Sequence, residues 1–234
     1  MVNDRKIGVV IPAAGQGRRM NGQQKLFLDI LGKPVITYTL RMFDQSPIID
    51  FITVVTSAEY IDKIRELVKN ENFEKITRIV EGGNQRQDSV WNGLQEIAND
   101  SPDIIVVHDG ARPFVDNDII SRAVESADLS GAAIAAVPAK DTIKLADSNN
   151  IVTNTLERDH TWLIQTPQAS WFDLMFDAFQ KAMKENYYST DESSLLERYG
   201  VKVKIVQGSY ENIKITTLED IDIAQSIAKR RFLI

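Results

Sequence analysis

Short apolar runs rich in valine and isoleucine alternate along the chain with longer stretches of helical period. That alternation is the pattern of β-α-β units and a mainly parallel sheet. Strands are predicted over 7–11, 51–56, 76–80, 104–108 and 132–137, with helices between them over 34–44, 58–70, 88–98 and 116–129. Pro34 suits the first turn of its helix, where a missing N–H is no loss. Continuous apolar strands such as Ile104-Ile105-Val106-Val107 fit burial on both faces, which helices packed above and below a sheet would provide. After Pro138 the alternation stops. Asp141-Thr142-Ile143-Lys144-Leu145 and Ile151-Val152-Thr153-Asn154-Thr155-Leu156 flank a polar stretch at 146–150 and predict a protruding hairpin arm at about 140–158. An isolated two-stranded hairpin is marginal in water, so the arm is expected to pack against a second copy of the chain. The chain then returns through Trp162-Leu163-Ile164, a helix over 171–184, a strand over 202–206 and a terminal helix over 217–230. No repeat or linker splits it, so one domain over 1–234 is expected.

Composition narrows the chemistry. With 234 residues, 43% hydrophobic and 26% charged, the chain has an ordinary soluble-globular balance. The net charge of −6 disfavours nucleic acid and anionic membrane as partners of the whole surface. Zero cysteines exclude thiolate nucleophiles, zinc fingers and iron–sulfur ligation. Only His108 and His160 are present, too few for a three-histidine metal site. No apolar run approaches the ~20 residues of a membrane span, and the polar start carries no secretory segment, so a cytoplasmic protein is expected.

Three loops at strand ends carry the candidate chemistry. Pro12-Ala13-Ala14-Gly15-Gln16-Gly17-Arg18-Arg19-Met20 follows the first strand, and its small residues would let backbone N–H groups approach an anion. Met20 stands where a dinucleotide fingerprint needs its third glycine, and no Gly-Lys-Ser/Thr follows. Instead, Arg18, Arg19 and Lys25 supply cations suited to a triphosphate; a glycine-rich turn with solvated cations is the plain alternative. Gly82-Gly83 ends the third strand and leads into Asn84 and Ser89, where Ser89 would either bind a ligand or satisfy an orphan backbone donor. His108-Asp109-Gly110-Ala111-Arg112-Pro113 ends a buried strand. Asp109 there would hold Mg²⁺ or a hydroxyl group, or pair with Arg112, while His108 reads as a hydrogen-bonded core residue. Ligands of open parallel sheets collect at this carboxyl edge. Lys214, inside an apolar alternation, must find water, a carboxylate or a phosphate.

Seven segments in order give a resemblance. They are Pro12-Ala13-Ala14-Gly15, Gly82-Gly83-x-x-Arg86-x-x-Ser89-Val90, the 108–113 segment, Val137-Pro138-x-x-Asp141-Thr142-Ile143-Lys144, Thr166-Pro167-Gln168, Thr190-Asp191-Glu192 and Asn212-Ile213-Lys214. Together the sequence resembles the 2-C-methyl-D-erythritol 4-phosphate cytidylyltransferase family of the non-mevalonate isoprenoid pathway, from residue 7 to about 228. The resemblance implies a Rossmann-like α/β subunit that forms a homodimer through an extended β-arm. It implies CTP and Mg²⁺, and formation of 4-diphosphocytidyl-2-C-methyl-D-erythritol with pyrophosphate. By motif, Arg19, Lys25 and Lys214 would be catalytic. Pro12, Ala13, Ala14, Gly15, Gly17, Gly82, Gly83, Asn84, Ser89 and Asp109 would surround the nucleotide, with Asp109 also toward the metal. Asp109, Arg112, Thr142, Arg158, Thr166 and Lys214 would address the methylerythritol phosphate, Thr142 and Arg158 arriving from the partner's arm. Asn84 stands where relatives often carry Asp.

The residue inventory agrees with this reaction. A phosphate monoester has its second pKa near 6, so the attacking oxygen is already ionised at neutral pH and no general base is needed. Catalysis then consists of alignment and charge neutralisation, within reach of a chain with two histidines and no thiol. The rivals are ribitol 5-phosphate cytidylyltransferase, which tends to carry Leu-Ala-Gly-Gly at the first loop, a non-catalytic nucleotide-binding domain, and, by fold alone, an NAD-dependent oxidoreductase.

Overall fold

The computed structural model describes residues 4–15 and 24–232. Strand β1 (Ile7–Pro12) is followed by a small ribbon, β2 (Asp29–Ile30) and β3 (Lys33–Pro34), then helix α1 (Val35–Asp44). The alternation continues through β4 (Phe51–Thr56), α2 (Ile61–Asn70), β5 (Ile76–Glu81), α3 (Arg86–Ile97), β6 (Ile104–Val107), α4 (Asn117–Ser130) and β7 (Ala132–Pro138). The arm strands β8 (Lys144–Ala146) and β9 (Val152–Thr155) precede β10 (Trp162–Trp171), α5 (Phe172–Lys184), α6 (Glu192–Tyr199), β11 (Lys204–Gln207) and α7 (Glu219–Phe232).

Seven strands form one sheet in the order β11-β7-β10-β6-β1-β4-β5. Its pairings are parallel except where β10 runs antiparallel between β6 and β7. This is the expected mainly parallel α/β sheet with helices on both faces. Period-two alternation explains the layering. Val9 and Ile11 of β1 point into a core shared with α1, α2 and α4, whereas Val10 points into a second core built with α3, α5 and α6. The third core seats α7 against the β2–β3 ribbon through Ile30, Val35, Phe114, Ile215 and Ile227. Strands β4 and β6 are buried along their whole length, β6 through an uninterrupted apolar run and β4 through a largely apolar one that also buries Thr53 and Thr56.

Several boundaries differ from the sequence reading. Strand β6 stops at Val107 and leaves His108 in the following loop. Helix α3 begins at Arg86 rather than at 88, because the Asp88 carboxylate accepts from the Gln85 backbone N–H at 2.9 Å and closes the first turn two residues earlier. The expected helix at 58–70 opens as a 3₁₀ turn, Ala58–Tyr60. The return strand is far longer than Trp162-Leu163-Ile164. Its polar Gln165-Thr166-Pro167-Gln168 stretch reads as a turn but lies inside β10, where the register to β7 slips and four steps along β10 match two along β7. Helix α6 and the β2–β3 ribbon were not expected at all. The arm is a short hairpin: β8 and β9 cover less than the predicted flanks, and the Asp147 carboxylate closes the turn by accepting from the N–H groups of Asn149 and Ile151, both at 2.9 Å.

Gly93 shows why α3 lies so close to the sheet. A Cβ built there would meet Val10 Cγ1 at 2.7 Å and Val55 Cγ2 at 2.9 Å. Gly93→Val should therefore lose about 1–3 kcal/mol of unfolding free energy through overpacking. Urea denaturation reads this, and an unchanged midpoint would show that α3 does not press on β1 and β4.

Candidate active site

The chain runs outward from β1 to β4 and β5, then returns to place β6 on the other side of β1. Beyond the carboxyl ends of these strands such a reversal opens a crevice. The loops after β1, β5 and β6 all meet there, and Pro12, Ala13, Ala14, Gly15, Lys25, Gly82, Gly83, Asn84, Arg86, Ser89, Asp109 and Lys214 line one cavity of about 850 Å³. Gly17 and Arg19, the remaining expected nucleotide and catalytic positions, lie outside the described residues, as does Arg18.

Glycine is needed at the second loop for close approach. A Cβ on Gly82 would meet Ala14 Cβ at 2.5 Å and Ser89 Oγ at 2.8 Å. Ser89 Oγ accepts from the Gly83 N–H at 3.2 Å and donates to the Gln85 carbonyl at 3.1 Å. Its backbone-satisfying role is therefore visible, and it faces the cavity as well. The first loop is anchored by the Ala13 N–H on the Val55 carbonyl, 2.6 Å, and by Ser57 Oγ donating to the Ala14 carbonyl at 3.1 Å.

At the base of the cleft Asp109 is 6% exposed and surrounded by cations. Arg86 Nε lies 2.9 Å from Oδ1, Lys214 Nζ 2.9 Å from Oδ2, and Arg112 Nε 3.5 Å from Oδ2. The pairing with Arg112 read from sequence is present, but it is the longest of three. Burial alone would raise the carboxyl pKa; the charges of Arg86, Lys214 and Arg112 outweigh it and hold Asp109 well below its ordinary value. Arg86 sits between Asp109 and the buried Glu192, whose carboxylate takes Nη1 at 2.5 Å and Nη2 at 3.2 Å. Burial weakens the charged guanidinium, but these two carboxylates more than reverse that, and its pKa is raised.

His108 is fully buried, with Nε2 3.1 Å from the Arg112 carbonyl and Nδ1 3.1 Å from Thr166 Oγ1. A carbonyl can only accept, so Nε2 carries the proton, Nδ1 accepts from the Thr166 hydroxyl, and that hydroxyl accepts the Asp109 N–H at 3.1 Å. Burial lowers the imidazole pKa to about 3, so it is neutral and fully hydrogen-bonded, a core residue as expected. Thr166 reaches this position because the slip in β10 turns it toward the end of β6. Lys214 is delivered by its own segment, which docks through the Ile215 N–H on the Ala111 carbonyl at 2.9 Å, and through Asn212 Nδ2 on the Thr166 carbonyl at 2.8 Å.

A second hollow of about 480 Å³ lies on the far side of this cluster, and its walls include Arg86, Asp109, Arg112, Thr166, Gln168, Thr190 and Lys214. Arg86, Asp109 and Lys214 line both hollows. Thr142 and Arg158 are not brought to either; they line a separate hollow at the base of the arm. Another hollow of about 980 Å³, beside the edge strand β5, contains none of the expected site residues.

Sequence reasoning assigned no role to Arg86 or Glu192 beyond membership of a motif. One signal was available: a cation in the first turn of a helix opposes the helix dipole and requires an anionic partner. Asp191 prepares that partner by capping α6, its carboxylate accepting from the Ser194 N–H at 3.2 Å, while Gln168 Nε2 donates to it at 2.9 Å.

A family model for 2-C-methyl-D-erythritol 4-phosphate cytidylyltransferase matches residues 7–230. The enzyme of that name from Alkaliphilus oremlandii is 40% identical over 233 residues, 99% of this chain and 98% of the relative. That from Syntrophus aciditrophicus is 44% identical over 227 residues, 96% of this chain and 97% of the relative. Among solved structures, the 4-diphosphocytidyl-2C-methyl-D-erythritol synthase of Anaerococcus prevotii superposes with a TM-score of 0.87 at 30% identity, covering 98% of each chain. The Francisella tularensis 2-C-methyl-D-erythritol 4-phosphate cytidylyltransferase does so with a TM-score of 0.78 at 36% identity, over 94% of this chain and 99% of that one.

Burial raises the Asp191 carboxyl pKa, but hydrogen bonds from Ser194, Gln168 and Ser193 outweigh it and lower the pKa below 3.8. Its stabilising effect is therefore present above about pH 4 and lost as pH falls through the lowered value. Asp191→Ala should lower stability at pH 7 by about 1–2 kcal/mol, the usual cost of a lost helix cap, and the gap from wild type should narrow toward pH 3. Urea midpoints at the two pH values test this; a gap equally wide at pH 3 contradicts it.

Proposed function

The chain belongs to the 2-C-methyl-D-erythritol 4-phosphate cytidylyltransferase family, and from that membership we propose the reaction of its cleft: the cytidylyl group of CTP passes to 2-C-methyl-D-erythritol 4-phosphate, giving 4-diphosphocytidyl-2-C-methyl-D-erythritol and pyrophosphate. The observation that carries this reading is the wall of Arg86, Asp109 and Lys214 shared by two hollows. One hollow would take the nucleoside triphosphate and the other the polyol phosphate, with their reacting atoms meeting at the wall between them.

An ionised oxygen of the polyol phosphate attacks the α-phosphorus of CTP. The bond from that phosphorus to the α,β-bridging oxygen breaks, and its electron pair leaves with pyrophosphate. No proton has to be removed, since the monoester is largely dianionic at neutral pH. His108, neutral and engaged at both nitrogens, is not required as a base. The work assigned to side chains is alignment and charge neutralisation: Lys25 and Arg19 toward the triphosphate, Lys214 between the two ligands, and Arg112 and Thr166 toward the polyol phosphate. Pro12, Ala13, Ala14, Gly15, Gly82, Gly83, Asn84 and Ser89 would enclose the nucleotide, and Asn84 would offer it an amide.

For Mg²⁺, Asp109 would offer one remaining acceptor position to an ion carried in on the triphosphate. A carboxylate has about four acceptor positions, of which three face cations here, and Asp109 is held ionised. Among the described residues no group of three acidic or histidine side chains could hold a metal by itself, so phosphate oxygens and water would complete the shell. When bound, the ion would neutralise phosphate charge. Among the described residues no helix is long and apolar enough to cross a membrane. Dependence on CTP leads us to assign the enzyme to the cytoplasm.

The arm supports a homodimer. Leu145, Ile151 and Val152 are 48–63% exposed on it, and Thr142 and Arg158 stand apart from the cleft of their own chain. A second copy receiving this arm would gain both residues for its polyol phosphate hollow.

Pyrophosphate release from CTP, UTP, ATP and GTP with methylerythritol phosphate or ribitol 5-phosphate should be seen for CTP with methylerythritol phosphate; turnover with ribitol phosphate alone overturns the choice of substrate. Lys25→Ala should fold normally and lose about 10²–10³ in turnover, on the scale of a lost oxyanion donor. Near-normal turnover removes Lys25 from the catalytic set. Co-refolding inactive Arg158→Ala and Lys214→Ala chains should restore about a quarter of wild-type activity, because half the dimers are mixed and each mixed dimer has one intact site. No recovery would mean that Arg158 serves its own chain.

A further inference from the structure

Arg86 opens helix α3 directly after the glycine loop, where the helix dipole disfavours a cation. It is nevertheless held there, its flat guanidinium forked between two carboxylates: Asp109, which lines both hollows, and Glu192, which lines neither. Nη1 and Nη2 grip Glu192, which is 1% exposed and begins α6, while Nε alone reaches Asp109 Oδ1 at 2.9 Å. Glu192 is not among the walls of either large hollow, so it touches no substrate there. Among the described residues its ion-pair partner is Arg86.

We propose that Glu192 is a positioning residue: through Arg86 it fixes the carboxylate of Asp109 at the wall between the two hollows, and so sets the alignment of the two substrates. The inference rests on the cytidylyl-transfer reading and deepens it. With Glu192 holding two of its nitrogens, Arg86 presents only its Nε edge to Asp109, and Oδ2 stays with Lys214 at 2.9 Å. Without Glu192 the fork is free to turn onto Asp109 or onto a phosphate, and the wall loses its fixed geometry. A lysine at position 86 could not replace it, since a point charge does not bridge two carboxylates bidentately.

Charge and position predict opposite results, which makes the relay testable. Asp109 and Glu192 face Arg86, Arg112 and Lys214, so neutralising Glu192 makes the site more positive. Were charge all that mattered, anionic substrates would bind at least as well and turnover would hold. A positioning role predicts instead that kcat falls while KM does not rise.

The experiment measures kcat and KM for both substrates in wild type, Glu192→Gln, and Arg86→Gln/Glu192→Gln, with thermal unfolding alongside. The paired variant removes both charges and leaves no buried ion unpartnered, so thermal stability lost with a merely structural ion pair would be recovered in it; since Arg86 itself lines the cleft, the kcat of the Glu192 variant at unchanged KM is the readout of the relay. The expected result is a kcat about 10–100-fold below wild type in both variants, the usual cost of losing a supporting partner behind a functional carboxylate. KM for methylerythritol phosphate should stay within about threefold, or fall. A paired variant with kcat within about threefold of wild type overturns the relay. If the paired variant does not fold, Glu192→Asp decides: it keeps the charge but withdraws the carboxylate by one methylene. A folded Glu192→Asp protein with about tenfold lower kcat supports the proposal, and one with unchanged kcat overturns it. Wild type that releases no pyrophosphate from CTP and methylerythritol phosphate overturns the functional reading itself, a failure visible before any variant is measured.

Discussion

An ionised carboxylate taken out of water is costly unless cations meet it, and Asp109 is such a group. The fold answers with Arg86 from the start of α3, Arg112 from the loop after β6 and Lys214 from the segment before α7. No two of these cations come from the same element. Their convergence requires that the sheet order, the glycine loop and the docking of the 212–215 segment all be right at once. The same ion cluster therefore ties the fold together at one edge and defines the partition of the cleft.

Around that point the backbone does much of the shaping. The reversal of strand order opens the crevice, and small residues at Ala13, Ala14, Gly82 and Gly83 keep side chains out of it. On the other side the irregularity in β10 breaks an otherwise plain antiparallel pairing and carries Thr166 to the Asp109 backbone. His108 fixes that contact from within the core. Its neutrality, imposed by burial, is part of the architecture and leaves the chemistry to charges already present.

One chain nevertheless leaves the proposed polyol phosphate hollow without two of the residues its family resemblance points to. Thr142 and Arg158 sit at the base of an arm whose strands are wholly exposed. Exposed apolar side chains on a two-stranded hairpin are marginal in water. The proposed exchange of arms between two copies would answer both the exposure and the missing residues.

Periodicity alone located the strands and helices of the parallel half, because strands covered on both faces there are predominantly apolar and a helix against a sheet is apolar at its own period. The order of the motifs was enough to point to the family, and the loops at 12–15, 82–89 and 108–113 did converge as strand-end loops of such a sheet should. What periodicity could not show was β10: its middle is polar and contains proline, and only pairing with β6 and β7 makes it a strand. Nor could spacing choose among the partners of Asp109. Its neighbour Arg112, three residues away, was the visible one, yet the shorter contacts come from positions 86 and 214. Local rules determine which segments are buried; which distant charge reaches a buried carboxylate is decided by tertiary packing, where desolvation makes every unpaired ion expensive and so selects the arrangement that pairs them.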